Sequence, residues 1–124
     1  MKLRIKGNSI RMRLTKGDVR KLADIGYLEE KTVFPKMHFV YALQISDDAK
    51  ELSATFENNT ITMLVPNEFA KEWPENNVVG INTTMHLSNK EVLYLLLEKD
   101  FECLDATTED QSDHFKNPKK PANF

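Results

Sequence analysis

The chain has 124 residues, of which 40% are hydrophobic and 29% are charged, and its formal net charge is −2. This length and composition are typical of one globular domain and exclude a fibrous or intrinsically disordered protein. No stretch approaches the ~20 apolar residues of a transmembrane helix. The first six residues alternate charged and aliphatic side chains, so we expect no secretory signal sequence. Because Cys103 is the only cysteine, there is no disulfide framework, and we expect a cytoplasmic protein without a membrane partner.

The first predicted element is a β-hairpin. Residues 2–6 and 9–13 alternate between polar and apolar side chains, which is the period of a half-buried strand. Between them lie Gly7 and Asn8, two residue types that accept the positive φ of a tight turn. The resulting pairing places the apolar side chains toward the core and leaves five cations together on the other face, namely Lys2, Arg4, Lys6, Arg11 and Arg13.

A short helix and two further strands are predicted to follow the hairpin. Thr15 and Asp18 have the spacing of a capping box, and Gly26 is typical of a helix C-terminus. The strands are expected at residues 27–34 and 38–45. The helix should bury an apolar stripe, which consists of Val19, Leu22 and Ile25.

The second half of the chain repeats this order. Leu3–Leu14 aligns without a gap with Ala54–Val65, 51 residues later. A helix that contains Phe69 and Trp73 follows, and strands are expected at residues 78–87 and 91–99. The sequence therefore predicts an α+β fold built from a duplicated β-β-α-β-β unit (residues 1–45 and 52–99). About eight antiparallel strands would form a curved sheet or small barrel. Residues 1–104 would form one domain, and residues 105–124 a polar, flexible tail.

Positive charge is concentrated near the N-terminus. Eight Lys and Arg residues against Asp18 alone give residues 1–21 a charge of +7, so the other residues carry −9. Arg4 would lie directly opposite Arg11, and like charges in that arrangement destabilise a strand pair. Either the arginines bind an anionic ligand, or carboxylates of a neighbouring strand neutralise them. The candidate carboxylates are Glu29, Glu30, Glu98 and Asp100.

The first alternative defines a candidate site for an anionic small molecule or protein partner. The ligand would be held by cations of the hairpin, with Glu98 and Asp100 as acidic partners. Nucleic acid is not favoured, because the chain is acidic overall and no aromatic residue is interleaved with the cations of the hairpin. The proposed anion-binding residues are Arg4, Lys6, Arg11 and Arg13.

Other reactive residues do not form a second site. His38, His86 and His114 have no partner at metal-binding spacing, so we expect no metal site and no cofactor. Glu98 and Asp100 share one face of a strand and could do acid–base chemistry, but the sequence supplies no third group. Cys103 follows acidic residues, which raise a thiol pKa, so we expect it to be a buried and unreactive thiol.

Four segments resemble an uncharacterised family of short bacterial proteins, a domain of unknown function. These segments are the opening residues Lys2–Leu14, the tetrapeptide Val40-Tyr-Ala-Leu, the strand end Glu98–Leu104, and Phe115-Lys-Asn-Pro118. The resemblance covers nearly the whole chain and implies a bacterial cytoplasmic protein, but no activity is assigned to that family. Its motifs single out Gly7, Asn8, Arg11, Arg13, Lys99, Asp100 and Cys103.

The predicted architecture is also similar to that of the triphosphate-tunnel hydrolases, whose eight-stranded barrels are lined by Arg and Lys. Those enzymes open with alternating glutamates that hold the metal. This chain has Lys2, Arg4 and Lys6 in their place, so the resemblance does not imply the activity.

The sequence favours a non-enzymatic binding or interaction protein whose cationic hairpin face holds an anionic ligand or partner. The alternative is a phosphohydrolase-like barrel enzyme that acts on a phosphate ester through Glu98 and Asp100. A third interpretation is a homo-oligomer that pairs through edge strands.

Overall fold

The computed structural model describes residues 1–101, and the predictions for Cys103, His114 and the tail at 105–124 lie outside this range. The first half contains strands β1 and β2, helix α1, and strands β3 and β4, with bounds Lys2–Lys6, Ser9–Leu14, Lys16–Ile25, Tyr27–Val33 and His38–Ser46. The second half contains β5, β6, helix α2, a short 3-10 turn, β7 and β8, with bounds Ser53–Glu57, Thr60–Pro66, Asn67–Glu72, Trp73–Glu75, Gly80–His86 and Val92–Lys99.

The strands form two four-stranded sheets. The first sheet has the order β1-β2-β8-β7, and the second has the order β3-β4-β6-β5. Four neighbouring pairs are antiparallel hairpins. The central pairs, β2 with β8 and β4 with β6, are parallel. Each sheet therefore joins one hairpin from each half of the chain.

The predicted α+β class, with eight strands and two short helices, is confirmed. The prediction of a single antiparallel sheet or a small barrel is wrong, because residues 1–101 form two mixed sheets and neither closes on itself. Hydrophobic alternation shows which face of a strand is buried. It does not show which distant strand becomes the neighbour, or in which direction that neighbour runs.

The core is one hydrophobic cluster shared by both sheets and both helices. Met12 and Leu97 contribute from the first sheet, Leu43 and Met63 from the second, and each of these side chains has no solvent exposure. Trp73 is equally buried, and its indole Nε1 donates to the carbonyl oxygen of Val78 at 2.8 Å. Within residues 1–101, no helix is long and apolar enough to cross a membrane.

Helix α1 begins and ends where the sequence predicts. The backbone N–H of Asp18 donates to Thr15 Oγ1 at 3.1 Å, and Asp18 Oδ2 accepts from the Thr15 N–H at 3.0 Å, which completes the capping box. Gly26 ends the helix with φ of 86°. The predicted apolar stripe is wrong at Ile25, which is 66% exposed. Ile25 lies in the last turn at the margin of the buried face, and Ala23 packs inward instead.

Candidate functional site

The cations predicted for the N-terminal hairpin lie together on the outer face of the first sheet. Lys2, Arg4 and Lys6 alternate along the edge strand β1, and they pair with Arg13, Arg11 and Ser9 of β2. Strand β8 lies beside β2, in parallel, and adds three side chains to the same face. We call this surface the cationic face, and its charged residues are Lys2, Arg4, Lys6, Arg11, Arg13 and Glu98.

One carboxylate on β8 holds two of the arginines. Glu98 Oε1 accepts from Nε of Arg11 at 2.6 Å and from Nε of Arg13 at 3.0 Å, and Nη2 of Arg11 also contacts it. The Glu98 side chain is 15% exposed. Its burial opposes ionisation, but the hydrogen bonds and charges of the two guanidiniums outweigh that effect and lower the pKa of Glu98. Glu98 is therefore a structural anchor for Arg11 and Arg13.

Asp100, immediately after β8, contacts the first cation of β1. Its Oδ2 lies 3.0 Å from Lys2 Nζ, and this hydrogen bond lowers the pKa of Asp100. The other two candidate carboxylates lie on β3 in the second sheet. Glu29 accepts from the Tyr27 hydroxyl at 2.8 Å and Glu30 from the Tyr41 hydroxyl at 2.7 Å. The five cations of β1 and β2 therefore meet two carboxylates, which leaves a net charge of +3.

Arg4 and Lys6 supply two units of this excess charge, and the third arises because Arg11 and Arg13 share the single carboxylate of Glu98. Arg4 lies directly opposite Arg11 in the β1–β2 register, an arrangement that destabilises a strand pair unless an anion offsets it. Within residues 1–101, neither Arg4 nor Lys6 has a carboxylate within ion-pair distance. Among the described residues, the cationic face thus holds two cations without an acidic partner.

These two cations border a depression on the cationic face, which we call the hollow. Its volume is about 390 Å³. Arg4, Lys6 and Arg11 line one side, and Asn82 and Thr84 of β7 line the other. Tyr94 and Leu96 of β8 form the floor between the two sides. The arrangement combines a cationic side, an apolar floor and a neutral polar side.

The floor and the polar side of the hollow were not predicted from the sequence. Alternation along the last strand places Tyr94, Leu96 and Glu98 on one face, so that signal was available. The parallel pairing of β8 with β2, which brings this face beside Arg11, was not predicted. The hairpin itself has no aromatic residue, as the sequence analysis stated, but the complete face has Tyr94.

Gly80 permits the close approach of β7 to β8 beside Glu98. It pairs with Glu98 in the β7–β8 register. A Cβ atom at this position would lie 2.8 Å from Glu98 Cα and still closer to the carbonyl oxygen of Leu97. Any side chain would therefore force the two strands apart at the position where Glu98 holds Arg11 and Arg13.

The remaining candidate residues lie apart from the hollow or have other roles. His38 is exposed at the start of β4, and His86 is exposed at the end of β7. Lys99 Nζ donates to the carbonyl oxygen of Asn76 at 2.8 Å and lies over the Trp73 ring. In the part of the chain that the structure describes, no group of three His, Cys, Asp or Glu side chains could hold a metal ion.

A family model described as "Family of unknown function (DUF7009)" matches residues 1–119. The chain belongs to this family. The predicted resemblance to an uncharacterised family is therefore confirmed, and membership of DUF7009 assigns no activity. The search of curated proteins gave no match, and neither did the search of solved structures. No relative therefore names a ligand for this chain.

Proposed function

We propose that this DUF7009 protein is a non-enzymatic binding or interaction protein that holds an anionic group in the hollow. The observation that carries the proposal is the pair Arg4 and Lys6, which border the hollow and have no acidic partner among residues 1–101. A bound phosphate or carboxylate would supply the missing counter-charge. It would also offset the repulsion between Arg4 and Arg11.

The anchored Arg11 supports the same proposal. Glu98 fixes its guanidinium through Nε and Nη2. The side chain is 28% exposed and lines the hollow. A guanidinium held in place loses less conformational freedom when it binds an anion. Arg13 is held by the same carboxylate but does not line the hollow, so we assign it to the support of Glu98.

The phosphohydrolase alternative is not favoured by any of these contacts. Its two acidic groups would be Glu98 and Asp100, and both are occupied by cations of the same sheet. The lowered pKa of each carboxyl keeps it ionised, so neither is suited to act as a general acid near neutral pH.

Calorimetric titration with inorganic phosphate, sulfate and acetate tests the proposal. We expect at least one anion to bind the wild type, and we expect Arg4→Gln and Lys6→Gln each to weaken that binding about tenfold. Lys31→Gln is the matched control, because Lys31 is an exposed strand cation on the second sheet. Saturable binding that survives Arg4→Gln unchanged, or no binding of any of the three anions, would contradict the proposal.

We also infer that the two halves of the chain derive from a duplicated β-β-α-β-β unit. Exchanging β1 to β4 with β5 to β8 converts the strand order of one sheet into that of the other. Equivalent backbone hydrogen bonds support this inference, because the N–H of Tyr94 donates to Asn8 O and that of Val40 to Asn59 O, both at 3.0 Å. Alignments of other DUF7009 members should preserve the 51-residue offset between hairpins, and its absence there would contradict duplication.

A further inference from the structure

Tyr94 lies on the floor of the hollow and is unusually exposed for its position. It belongs to β8, a central strand of the first sheet, yet it is 53% exposed. Its neighbours across the two ladders are Ser9 and Thr84, which are too short to cover an aromatic ring. Within residues 1–101, no other aromatic ring and no cation packs on the face of Tyr94. The ring therefore offers a free apolar surface inside a charged site.

The two sides of the hollow differ in chemistry. Lys6 and Arg4 of β1 lie on one side, and adjacent strands are spaced by about 4.8 Å, so β1 is roughly 10 Å from β8. Asn82 and Thr84 of β7 lie on the opposite side and offer neutral donors and acceptors. A ligand that is complementary to both sides and the floor of the hollow has an anionic end, a flat apolar middle and a neutral polar edge.

We infer that the hollow binds a nucleoside monophosphate, an inference that rests on the proposed anion-binding function. The phosphate lies at Arg4, Lys6 and Arg11, and the base stacks on Tyr94. The polar edge of the base faces Asn82 and Thr84. The volume of about 390 Å³ is at the small end of ligand sites and suits a single nucleotide rather than a polymer.

Stacking of a base on an aromatic side chain strengthens binding by about tenfold or more. We therefore expect adenosine or guanosine monophosphate to bind the wild type about tenfold more tightly than ribose 5-phosphate, which has the phosphate and sugar but no base. Tyr94→Leu should remove this advantage, so that the nucleotide and ribose 5-phosphate bind this variant with equal affinity. Tyr94→Phe should retain it, because the ring face remains.

The experiment is a calorimetric titration of the full-length wild type and these two variants with the nucleotides and ribose 5-phosphate. Tyr27→Leu is the matched control, because Tyr27 is an exposed tyrosine on the outer face of the second sheet. A second readout uses the wild type alone: proton NMR signals of a bound base should move upfield because of the ring current of Tyr94.

The outcomes separate this inference from the proposed function. Equal affinities for nucleotide and ribose 5-phosphate, or an advantage of the nucleotide that survives Tyr94→Leu, would overturn the nucleotide inference and leave anion binding intact. Absence of binding by nucleotide, ribose 5-phosphate and inorganic phosphate alike would overturn both. Loss of the base-dependent advantage in Tyr94→Leu, with Tyr94→Phe and Tyr27→Leu unchanged, would support the inference.

Discussion

The outer faces of the two sheets have the same strand arrangement and different chemistry. In the first sheet, one row across the four strands consists of Arg4, Arg11, Leu96 and Asn82. The row at the equivalent ladder position of the second sheet consists of Thr55, Thr62, Ala42 and Glu29. A threonine pair is ordinary on a sheet surface, whereas like charges directly opposite each other destabilise a strand pair. The strand arrangement that the two sheets share therefore does not require the pairing of Arg4 with Arg11.

The next row shows the same contrast in shape. Tyr94 on the floor of the hollow is 53% exposed, and Val40 at the equivalent position of the second sheet is 7% exposed. The cationic face has a net charge of +3 when Asp100 is included. The corresponding positions of the second sheet carry Glu29, Lys31 and Glu57, which is a net charge of −1. The two sheets therefore share a strand arrangement, and the proposed anion site lies on the first alone.

The largest expected effect follows from the contact between Gly80 and Glu98. At the position of Gly80 the second sheet has Tyr27, opposite Gln44. Gly80→Ala should destabilise the protein by about 3 kcal/mol, because the new Cβ meets backbone atoms of β8 that cannot move aside. Chemical denaturation measures this change. Tyr27→Ala is the control, and we expect it to cost about 1 kcal/mol or less. Equal costs at the two positions would show that the close approach in the first sheet is not required.

Glu98→Gln should have the next largest effect, a loss of about 1–3 kcal/mol at pH 7, because Arg11 and Arg13 lose their shared carboxylate. The lowered pKa of Glu98 also predicts a pH dependence. The stabilisation is fully present above the ordinary glutamate pKa of about 4.3 and is lost as the pH falls through the lowered folded-state value. Between pH 7 and pH 3, the unfolding free energies of the wild type and of Glu98→Gln should therefore become more similar as the pH falls. A constant difference across this range would contradict the assignment.

The arginine pair can also be transferred to the other sheet. Thr55→Arg combined with Thr62→Arg places two guanidiniums opposite each other beside Gln44, the second-sheet equivalent of Glu98. We expect a loss of about 1 kcal/mol. Adding Gln44→Glu should recover part of this stability, because the second sheet then has the carboxylate that holds Arg11 in the first. If Gln44→Glu restores no stability, a carboxylate at this position does not offset the repulsion between the paired arginines, and the role assigned to Glu98 is wrong.

Arg4→Gln should have the smallest effect and the opposite sign. It removes a cation that faces Arg11 and has no acidic partner within residues 1–101. We expect stability at low salt to rise by about 0.3 kcal/mol, with no difference at 1 M salt, because salt screens surface charges. Thermal unfolding at the two salt concentrations measures this. A clear loss of stability would show that Arg4 makes a stabilising contact in the free protein.

Local sequence patterns predicted the helices and strands of this fold, but they did not predict which distant strands pair. The capping box at Thr15 and Asp18 and the glycine at position 26 placed α1 correctly. The turn between β1 and β2 was also placed correctly, although only Gly7, with φ of 53°, has a positive φ there and Asn8 does not. These features depend on interactions among neighbouring residues, which a single sequence displays directly.

The candidate site was predicted only as far as one hairpin extends. The register that faces Arg4 with Arg11 was predicted and is present. The parallel neighbour β8 supplies Glu98 and Tyr94 from more than 80 residues away, and no local pattern identifies that pairing. Arg13 was predicted to be part of the anion site; it contacts Glu98 and is not among the residues that line the hollow.

The most direct test is an NMR titration of the uniformly ¹⁵N-labelled protein with inorganic phosphate at constant ionic strength. We predict saturable amide shifts at Arg4, Lys6, Ser9 and Tyr94, and no saturable shifts at the equivalent second-sheet positions Thr55, Glu57, Thr60 and Val40. Arg4→Gln should weaken the first set of shifts, and Lys31→Gln should not. Shifts of equal size on both sheets, or no saturable shift on the first, would contradict the account that only the first sheet presents a binding face.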